Sequence, residues 1–422
     1  MKHKLKTWHW ALIITASVLI MLIASIAIWW SIMDVESFSE GWTLIENLVN
    51  PPSNDIHYKE SYSVSDKKAK KWADKVVANV GHQELTNGEL QVYYWMEVYT
   101  FLNYNGQYAI SQGLDYTQPL DQQTYAEYGG TWQQYFLEEA LGSWHEEQAL
   151  ALMAQTNGMT LSTEDQVELD NLRKDLAASV VKAGYSSIDA MLQSDMGAGC
   201  SFDDYYSYRS TYTFANTWFS AKSEEALDQI TSEDLETYYS QHQTELADKG
   251  ISKDSGLIYG VRHILVTPPG GAKDSNGNMS YTDEEFERCR QEAQELMDKW
   301  LAEGGTEPLF AQYANDYSAD PGSNTSGGLY EGLKANTDIL KEFVAWYSDS
   351  SRKIGDYGLI KTSQGYHIMY LSTMEQEWKA AAREALLSEA SKAIVSEATA
   401  KHPIEVTYKN IVLSVVDLKN VG

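Results

Sequence analysis

Two histidines occupy equivalent places in two segments of alternating character. His263 lies within residues 261–266, and His367 lies within residues 365–371. Alternating apolar residues with β-branched side chains favour strands, in which every second side chain points to the same face. We therefore expect the two imidazoles to meet on one face of a small sheet, where they either form a reactive site or fill the core without chemical duty.

Other chemistries find little support in the sequence. The nine histidines show no His-x-x-x-His or His-Glu-x-x-His spacing, and the two cysteines, Cys200 and Cys289, stand far apart. We therefore expect no metal, no cofactor and no disulfide. The chain has no Gly-x-Ser-x-Gly motif and no phosphate-binding glycine loop. Its net charge of −28 argues against nucleic acid as a partner.

The N-terminal segment has the features of a membrane anchor. Lys2, Lys4 and Lys6 precede residues 8–32, which contain no Asp, Glu, Lys or Arg and are long enough to span a hydrocarbon core of about 30 Å. The positive-inside rule then places residues 1–7 in the cytoplasm and the bulk of this single-pass chain outside it. A cleaved signal peptide is the alternative.

The remaining chain divides by pattern. Residues 33–75 are polar and include a Pro-Pro pair, which indicates a stalk. Helical spacing predicts a mostly helical domain over residues 76–250, with helix starts at Thr86, Ser162, Ser201 and Thr231. Strand and helix patterns alternate over residues 256–374, which predicts a compact α+β domain whose third helix carries Ile339 and Phe343. Residues 375–418 predict one helix and one strand, too little for a core, so we expect them to return to the helical domain.

The helical region carries a high aromatic load between residues 205 and 219. Such side chains either fill a core or line an apolar groove that holds unfolded chains.

Six short motifs within residues 256–374 resemble, in order and spacing, those of parvulin-type peptidyl-prolyl cis-trans isomerases. They are residues 261–266, 310–314, 317–320, 326–328, 341–343 and 365–368. The flanking segments resemble the chaperone domains of secreted foldases of the PrsA and SurA type. The resemblance implies an α+β fold: a parvulin-like domain, a small antiparallel sheet with surrounding helices, inserted in a mostly helical SurA-like chaperone domain behind an N-terminal transmembrane helix.

The resemblance also implies roles for eight residues. The catalytic network would contain His263, Asp320, His367 and Thr362, and the substrate proline would be bound by Phe343, Ile339, Tyr330 and Leu333. The implied activity is isomerisation of X-Pro bonds in unfolded or partly folded secreted and cell-envelope proteins, without a cofactor.

One segment departs from the family. Residues 327–332 read Gly-Gly-Leu-Tyr-Glu-Gly where the family carries Gly-Gly-Asp-Leu-Gly, which alters one wall of the implied site. The alternative function is therefore a non-catalytic chaperone or binding module with a degenerate parvulin domain. The sequence carries no signal for the identity of the clients or for the oligomeric state.

Overall fold

The computed structural model describes residues 59–273 and 279–418. The predicted cytoplasmic tail (1–7) and membrane anchor (8–32) lie outside these residues, as does most of the predicted stalk. Among the described residues, no helix combines the length and the apolar character needed to cross a membrane.

The chain divides into two compact units. Among the described residues, the first comprises 59–226 with 389–418, and the second comprises 227–273 with 279–388. The helices Phe202–Gln229 and Glu377–Lys401 contribute residues to both.

The second unit includes two segments that the sequence pattern groups with the helical domain, residues 227–250 and 375–388. The reason is apolar packing. Trp378 and Ala382 share a buried cluster with Leu235, Tyr239 and Leu246.

The first unit is mainly helical. Its helices are α1 (Asp66–Lys71), α2 (Asn87–Ser111), α3 (Trp132–Thr156), α4 (Thr163–Ala183), α5 (Ile188–Met196) and most of α6 (Phe202–Gln229). Its strands are β1 (Ser63–Val64), β2 (Val76–Val80), β3 (Gln83–Thr86), β4 (Thr124–Tyr125), β5 (Gly130–Thr131), β12 (Ile404–Val406) and β13 (Leu413–Ser414).

Strands from both ends of the described chain pair within this unit. β12 lies antiparallel to β2, and β13 lies parallel to β1. The prediction of a polar stalk is wrong for residues 59–75, because Tyr62 and Ala69 are buried here. The many lysines in this segment are typical of a solvated linker. The sequence pattern therefore did not indicate that Tyr62 and Ala69 are buried.

The predicted helix starts at Thr86, Ser162, Ser201 and Thr231 are confirmed. In each, the side-chain oxygen accepts a hydrogen bond from the backbone N–H three residues later, at 3.0–3.3 Å. These caps satisfy amides that a helix leaves without partners in its first turn.

The second unit combines a sheet with helices on its faces. Its helices are α7 (Ser232–Gln241), α8 (Gln243–Asp248), α9 (Asp283–Ala302), α10 (Glu307–Tyr317), α11 (Lys341–Tyr347) and the start of α12 (Glu377–Lys401). Its strands are β6 (Leu257–Val266), β7 (Ala272–Lys273), β8 (Met279–Ser280), β9 (Leu329–Leu333), β10 (Tyr357–Lys361) and β11 (Tyr366–Gln376).

Four of these strands form one antiparallel sheet in the order β10-β11-β6-β9. The two long strands are central, and their register places His367 opposite Leu265 and Met369 opposite His263. The predicted α+β domain with a small antiparallel sheet and surrounding helices is therefore confirmed.

The two faces of the sheet bury different clusters. On one face Ile264 and Ile368 pack against α9 and α10, with Trp300 and Phe310 at the centre. On the other face the cluster is Tyr259, Val261, Leu333, Phe343, Trp346, Tyr347, Met369 and Leu371. His263 and His367 alternate with Ile264 and Ile368 along their strands, so they point to this second face.

Two local predictions need correction. β9 was not predicted, because Glu331 and Gly332 interrupt its alternation and an edge strand needs only one pairing partner. Ile339 was expected on the helix that carries Phe343, but α11 begins at Lys341. Ile339 therefore precedes the helix, with 41% of its surface exposed.

We predict that two glycines of the β9 region respond differently to alanine. Gly328 and Gly332 both have positive φ, +71° and +66°, so alanine costs about 1–2 kcal/mol at either position. At Gly328 the added Cβ would also lie 2.3 Å from the carbonyl oxygen of His263, whereas at Gly332 nothing lies within 4 Å. We expect Gly328→Ala to destabilise the sheet by roughly 2 kcal/mol beyond Gly332→Ala.

Hydrogen exchange of the β6 and β11 peptides in the full chain, read by mass spectrometry, measures this difference. Equal loss of protection in the two variants would contradict it.

Candidate active site

The two predicted histidines lie side by side at the centre of the sheet. His263 Nδ1 is 3.1 Å from His367 Nδ1, and the ring centroids are 5.3 Å apart. Only 4% and 1% of their surfaces are exposed. The alternation of β6 and β11 fixes which face they share, and the strand register brings them within hydrogen-bond distance.

Each imidazole has a second polar partner. His263 Nε2 lies 3.0 Å from Asp320 Oδ2, and His367 Nε2 lies 2.8 Å from Thr362 Oγ1. Thr362 also accepts a hydrogen bond from the backbone N–H of Gln364 at 3.1 Å. The four residues expected to form the network are thus brought together, and all four imidazole nitrogens have partners.

The ionised state of Asp320 determines which imidazole nitrogens donate and which accept hydrogen bonds in this network. An ionised carboxylate only accepts hydrogen bonds, so His263 Nε2 carries the hydrogen that faces Asp320. A neutral His263 then accepts at Nδ1, which makes His367 Nδ1 a donor and His367 Nε2 an acceptor for the Thr362 hydroxyl. All hydrogen bonds therefore run in one direction, from the Gln364 amide through Thr362, His367 and His263 to Asp320.

The pKa values agree with neutral imidazoles beside an ionised carboxylate. Burial lowers the pKa of His367 to about 3, and neighbouring His263 adds to the effect. Burial also lowers the pKa of His263, although Asp320 partly offsets this. Burial alone raises the pKa of Asp320, but hydrogen bonds from Ser323, Tyr330 and His263 outweigh it and leave the pKa lowered.

Ser323 belongs to the network although sequence reasoning missed it. It is fully buried, its hydroxyl donates to Asp320 Oδ2 at 2.6 Å, and it lies 3.3 Å from His263 Nε2. A serine three residues after an aspartate in a glycine-rich loop is a common local hydrogen-bond pattern. That spacing is the one signal that could have identified it.

Tyr330 belongs to residues 327–332, the segment that differs from the family's motif, and it lies in the site. Its hydroxyl donates to Asp320 Oδ2 at 3.0 Å, and its ring centroid lies 5.4 Å from that of His263. With 37% of its surface exposed, the side chain stands at the rim of the site. The segment that differs from the family's motif thus supplies a hydrogen-bond donor, Tyr330, to the Asp320 carboxylate.

Phe343 forms the apolar surface against the histidines. Its ring meets His263 and His367 edge-on, at centroid distances of 5.0 Å and 4.7 Å. Leu333 is buried in the same cluster as Phe343. Ile339 is not brought into the buried part of this cluster, since it is largely exposed and precedes α11.

The arrangement offers a dry, uncharged floor of two imidazoles, an aromatic ring beside them, and one carboxylate at the rim. Such a site suits an apolar ring next to a polar amide. The buried floor excludes water, and the rim supplies charge.

A scan against protein-family models matches residues 263–373 to the rotamase family, described as the PPIC-type PPIase domain. No curated protein matches the chain.

Several solved structures resemble the chain. PrsA from Bacillus subtilis is 17% identical, with 78% of this chain and 93% of that chain covered and a TM-score of 0.29. A structure of the SurA-like chaperones PEB4 and Cj1289 of Campylobacter jejuni is 16% identical, covering 60% and 90%, with a TM-score of 0.21. PrsA from Streptococcus pneumoniae is 16% identical, covering 67% and 96%, with a TM-score of 0.22. At these identities and scores, the likenesses carry no inference about function.

The matched residues run from His263 to Thr373 and so contain both histidines, Asp320, Thr362 and Phe343. Residues 263–373 of this chain are therefore a PPIC-type peptidyl-prolyl isomerase domain, a member of the parvulin family.

Proposed function

We propose that this chain is an extracytoplasmic, membrane-anchored foldase. It catalyses cis-trans isomerisation of X-Pro bonds in secreted or cell-envelope proteins and holds unfolded clients. The observation that carries the catalytic part is the buried hydrogen-bond chain Thr362–His367–His263–Asp320 beneath the ring of Phe343. The anchor and the location rest on Lys2, Lys4, Lys6 and the uncharged segment 8–32.

The chemistry needs no covalent step. Rotation about an X-Pro bond meets a barrier of about 18–20 kcal/mol because amide resonance must be lost. A site lowers this barrier when it binds the twisted amide more tightly than either planar form. Removal of water helps, because the planar amide is the more polar form.

Each side chain has a role in this scheme. Phe343, with Leu333 behind it, packs against the proline ring, and Tyr330 and Ile339 contact the substrate at the rim. His263 and His367 hold an uncharged floor, while Thr362 and Ser323 fix their orientation and that of Asp320. The Asp320 carboxylate sits beside the rotating amide and favours the charge distribution of its twisted form.

The alternative function is a chaperone whose isomerase domain is inactive. It is motivated by the difference between residues 329–330 and the family's motif. The two functions are compatible in one chain, so they must be measured separately.

We predict that removal of the pocket ring and of the rim carboxylate lowers activity for different reasons. Phe343→Ala should reduce kcat/KM by about 10- to 100-fold, because a proline ring buried against an aromatic gains about 1.5–3 kcal/mol. Asp320→Ala should reduce it by about 10- to 100-fold through loss of electrostatic stabilisation. The measurement is cis-trans exchange of a proline peptide by NMR, with full-length chain.

Ile354→Ala is the matched control, because Ile354 is 58% exposed in the same unit and should leave the rate unchanged. No acceleration by the unmodified chain, or undiminished rates in folded Phe343 and Asp320 variants, would rule out catalysis at this site.

We predict that the isomerase domain loses stability in acid. In the unfolded chain a histidine protonates near pH 6.5, whereas folded His367 has a pKa of about 3. Between these values the unfolded state binds more protons, so the free energy of unfolding falls as pH falls, by about 1.4 kcal/mol per pH unit for each such histidine. The pKa of Asp320 is also lowered in the folded chain. Below the ordinary pKa of an aspartate it therefore adds to the fall in the free energy of unfolding with falling pH.

Urea unfolding at pH 4 to 7, followed through the methyl NMR signals of Ile264 and Ile368, measures this slope. His367→Asn should reduce the slope of the free energy of unfolding against pH by the contribution of one histidine. A slope that is the same in the variant and the unmodified chain would contradict a neutral His367.

We predict that client holding survives without the isomerase sheet. The Glu377 backbone N–H donates to the Gly256 carbonyl at 3.0 Å, so a short glycine linker can replace residues 257–376. Suppression of aggregation of an unfolded client should persist in this deletion and in full-length Asp320→Ala. Loss of suppression in the deletion, with folding of the remainder verified by circular dichroism, would assign holding to the isomerase domain instead.

A further inference from the structure

The first unit contains a polar cavity of about 350 Å³. Its walls come from β3, α2, α3 and α6, and the residues that matter for recognition are Glu84, Glu89, Gln148, Asp203, Tyr206 and Phe214. The proposed isomerase site uses none of them.

The cavity is acidic. Its lining contains three carboxylates and no lysine or arginine. Asp203 is paired with Arg173 at 3.4 Å and its side chain is 91% exposed, so its charge is largely balanced by its partner and solvent. Glu84 and the ionised form of Glu89 remain to give the cavity its negative character.

Glu89 lies at the buried end of this set. It is 6% exposed, and its Oε1 accepts a hydrogen bond from Ser207 at 2.9 Å. Burial raises the pKa of Glu89 to about 7, against the effect of Ser207. A cation beside this carboxylate would stabilise its charged form, which burial otherwise disfavours.

Gln148 provides a second, independent indication of a ligand. Its side chain lines the cavity and is 6% exposed, yet it makes no hydrogen bond with any of the described residues. Its amide therefore faces the cavity itself, where only solvent can bond to it. A ligand that donates to its carbonyl oxygen would replace that solvent.

An apolar cavity adjoins the polar one. Phe214 lines both, and the second cavity, of about 470 Å³, is otherwise lined by residues 159–163 with Gln166 and Val167. Its occupant therefore needs an apolar group next to a polar, cationic one.

From these contacts we propose that the polar cavity binds a basic side chain of an unfolded client polypeptide, while a neighbouring apolar side chain of that client enters the adjoining cavity. The ammonium or guanidinium group meets Glu89 and Gln148, and its aliphatic stem lies against the rings of Tyr206 and Phe214. Charge complementarity favours this occupant over an apolar segment alone. The inference rests on the chaperone part of the proposed function and gives it a sequence preference.

The test uses the full-length chain and a fluorescent Gly/Ser decapeptide that contains one Leu-Lys pair and no proline. A matched peptide carries norleucine in place of lysine. Anisotropy should show about tenfold weaker binding of the norleucine peptide, the effect of one charge-assisted hydrogen bond. Glu89→Gln and Gln148→Met should reduce the affinity for the lysine peptide to a similar extent, and should not change binding of the norleucine peptide.

Glu139→Gln is the matched control, because Glu139 is also a glutamate whose pKa burial raises, to about 8, and it lies outside the cavity lining. It should bind both peptides like the unmodified chain. Exposed Glu84 gives a second variant, Glu84→Gln, if Glu89→Gln does not fold, and it should weaken lysine-peptide binding.

Equal affinity for the two peptides, or unchanged affinity in the folded cavity variants, would overturn the proposal. So would binding of free spermidine as tight as that of the lysine peptide, because it would identify a small amine as the ligand. The NMR exchange rate of the proline peptide should be unchanged in Glu89→Gln. Failure of the isomerase proposal is thus read separately from failure of this one.

Discussion

The isomerase domain depends on the need to give four buried imidazole nitrogens a hydrogen-bond partner. A buried polar group without a partner costs free energy comparable to a large core mutation. His263 and His367 meet this requirement by bonding to each other and to Asp320 and Thr362. The central strand register, the turn that carries Thr362 and the loop that carries Asp320 must all be correct at once, so the histidine pair ties distant parts of the chain to one geometry.

The departure from the family pattern takes a different meaning once the site is seen. A missing aspartate in the glycine segment suggests a damaged wall when only the sequence is considered. In the structure, the Tyr330 hydroxyl donates a hydrogen bond to Asp320, and its ring lies tilted beside that of His263. Residues 327–332 thus line the site with a tyrosine in place of the family's residues. The hydrogen-bond network from Thr362 to Asp320 beside them is complete. The altered segment therefore changes the rim of the site and leaves the hydrogen bonds of the network in place.

The sequence predicted those parts of the fold that repeat a simple period. The alternation around His263 and His367 gave both central strands and the face they share, and the caps at Thr86 and Thr231 gave helix starts. It did not predict β9, whose alternation is broken by Gly332, or the folding of residues 59–75, where two inward residues stand among lysines. Ser323 was not predicted because its role depends on a loop conformation. Ile339 was wrongly placed on a helix because local packing sets where a helix begins.

The single direction of the hydrogen bonds from Thr362 to Asp320 has an electrical consequence. Each donor dipole points the same way, so their fields add along the row as peptide dipoles add along a helix. The positive end of this row of neutral groups faces Asp320. Two uncharged histidines can thus stabilise the Asp320 carboxylate at the rim of the site as a helix N-terminus stabilises an anion. The strength of this stabilisation would depend on every hydrogen bond behind it.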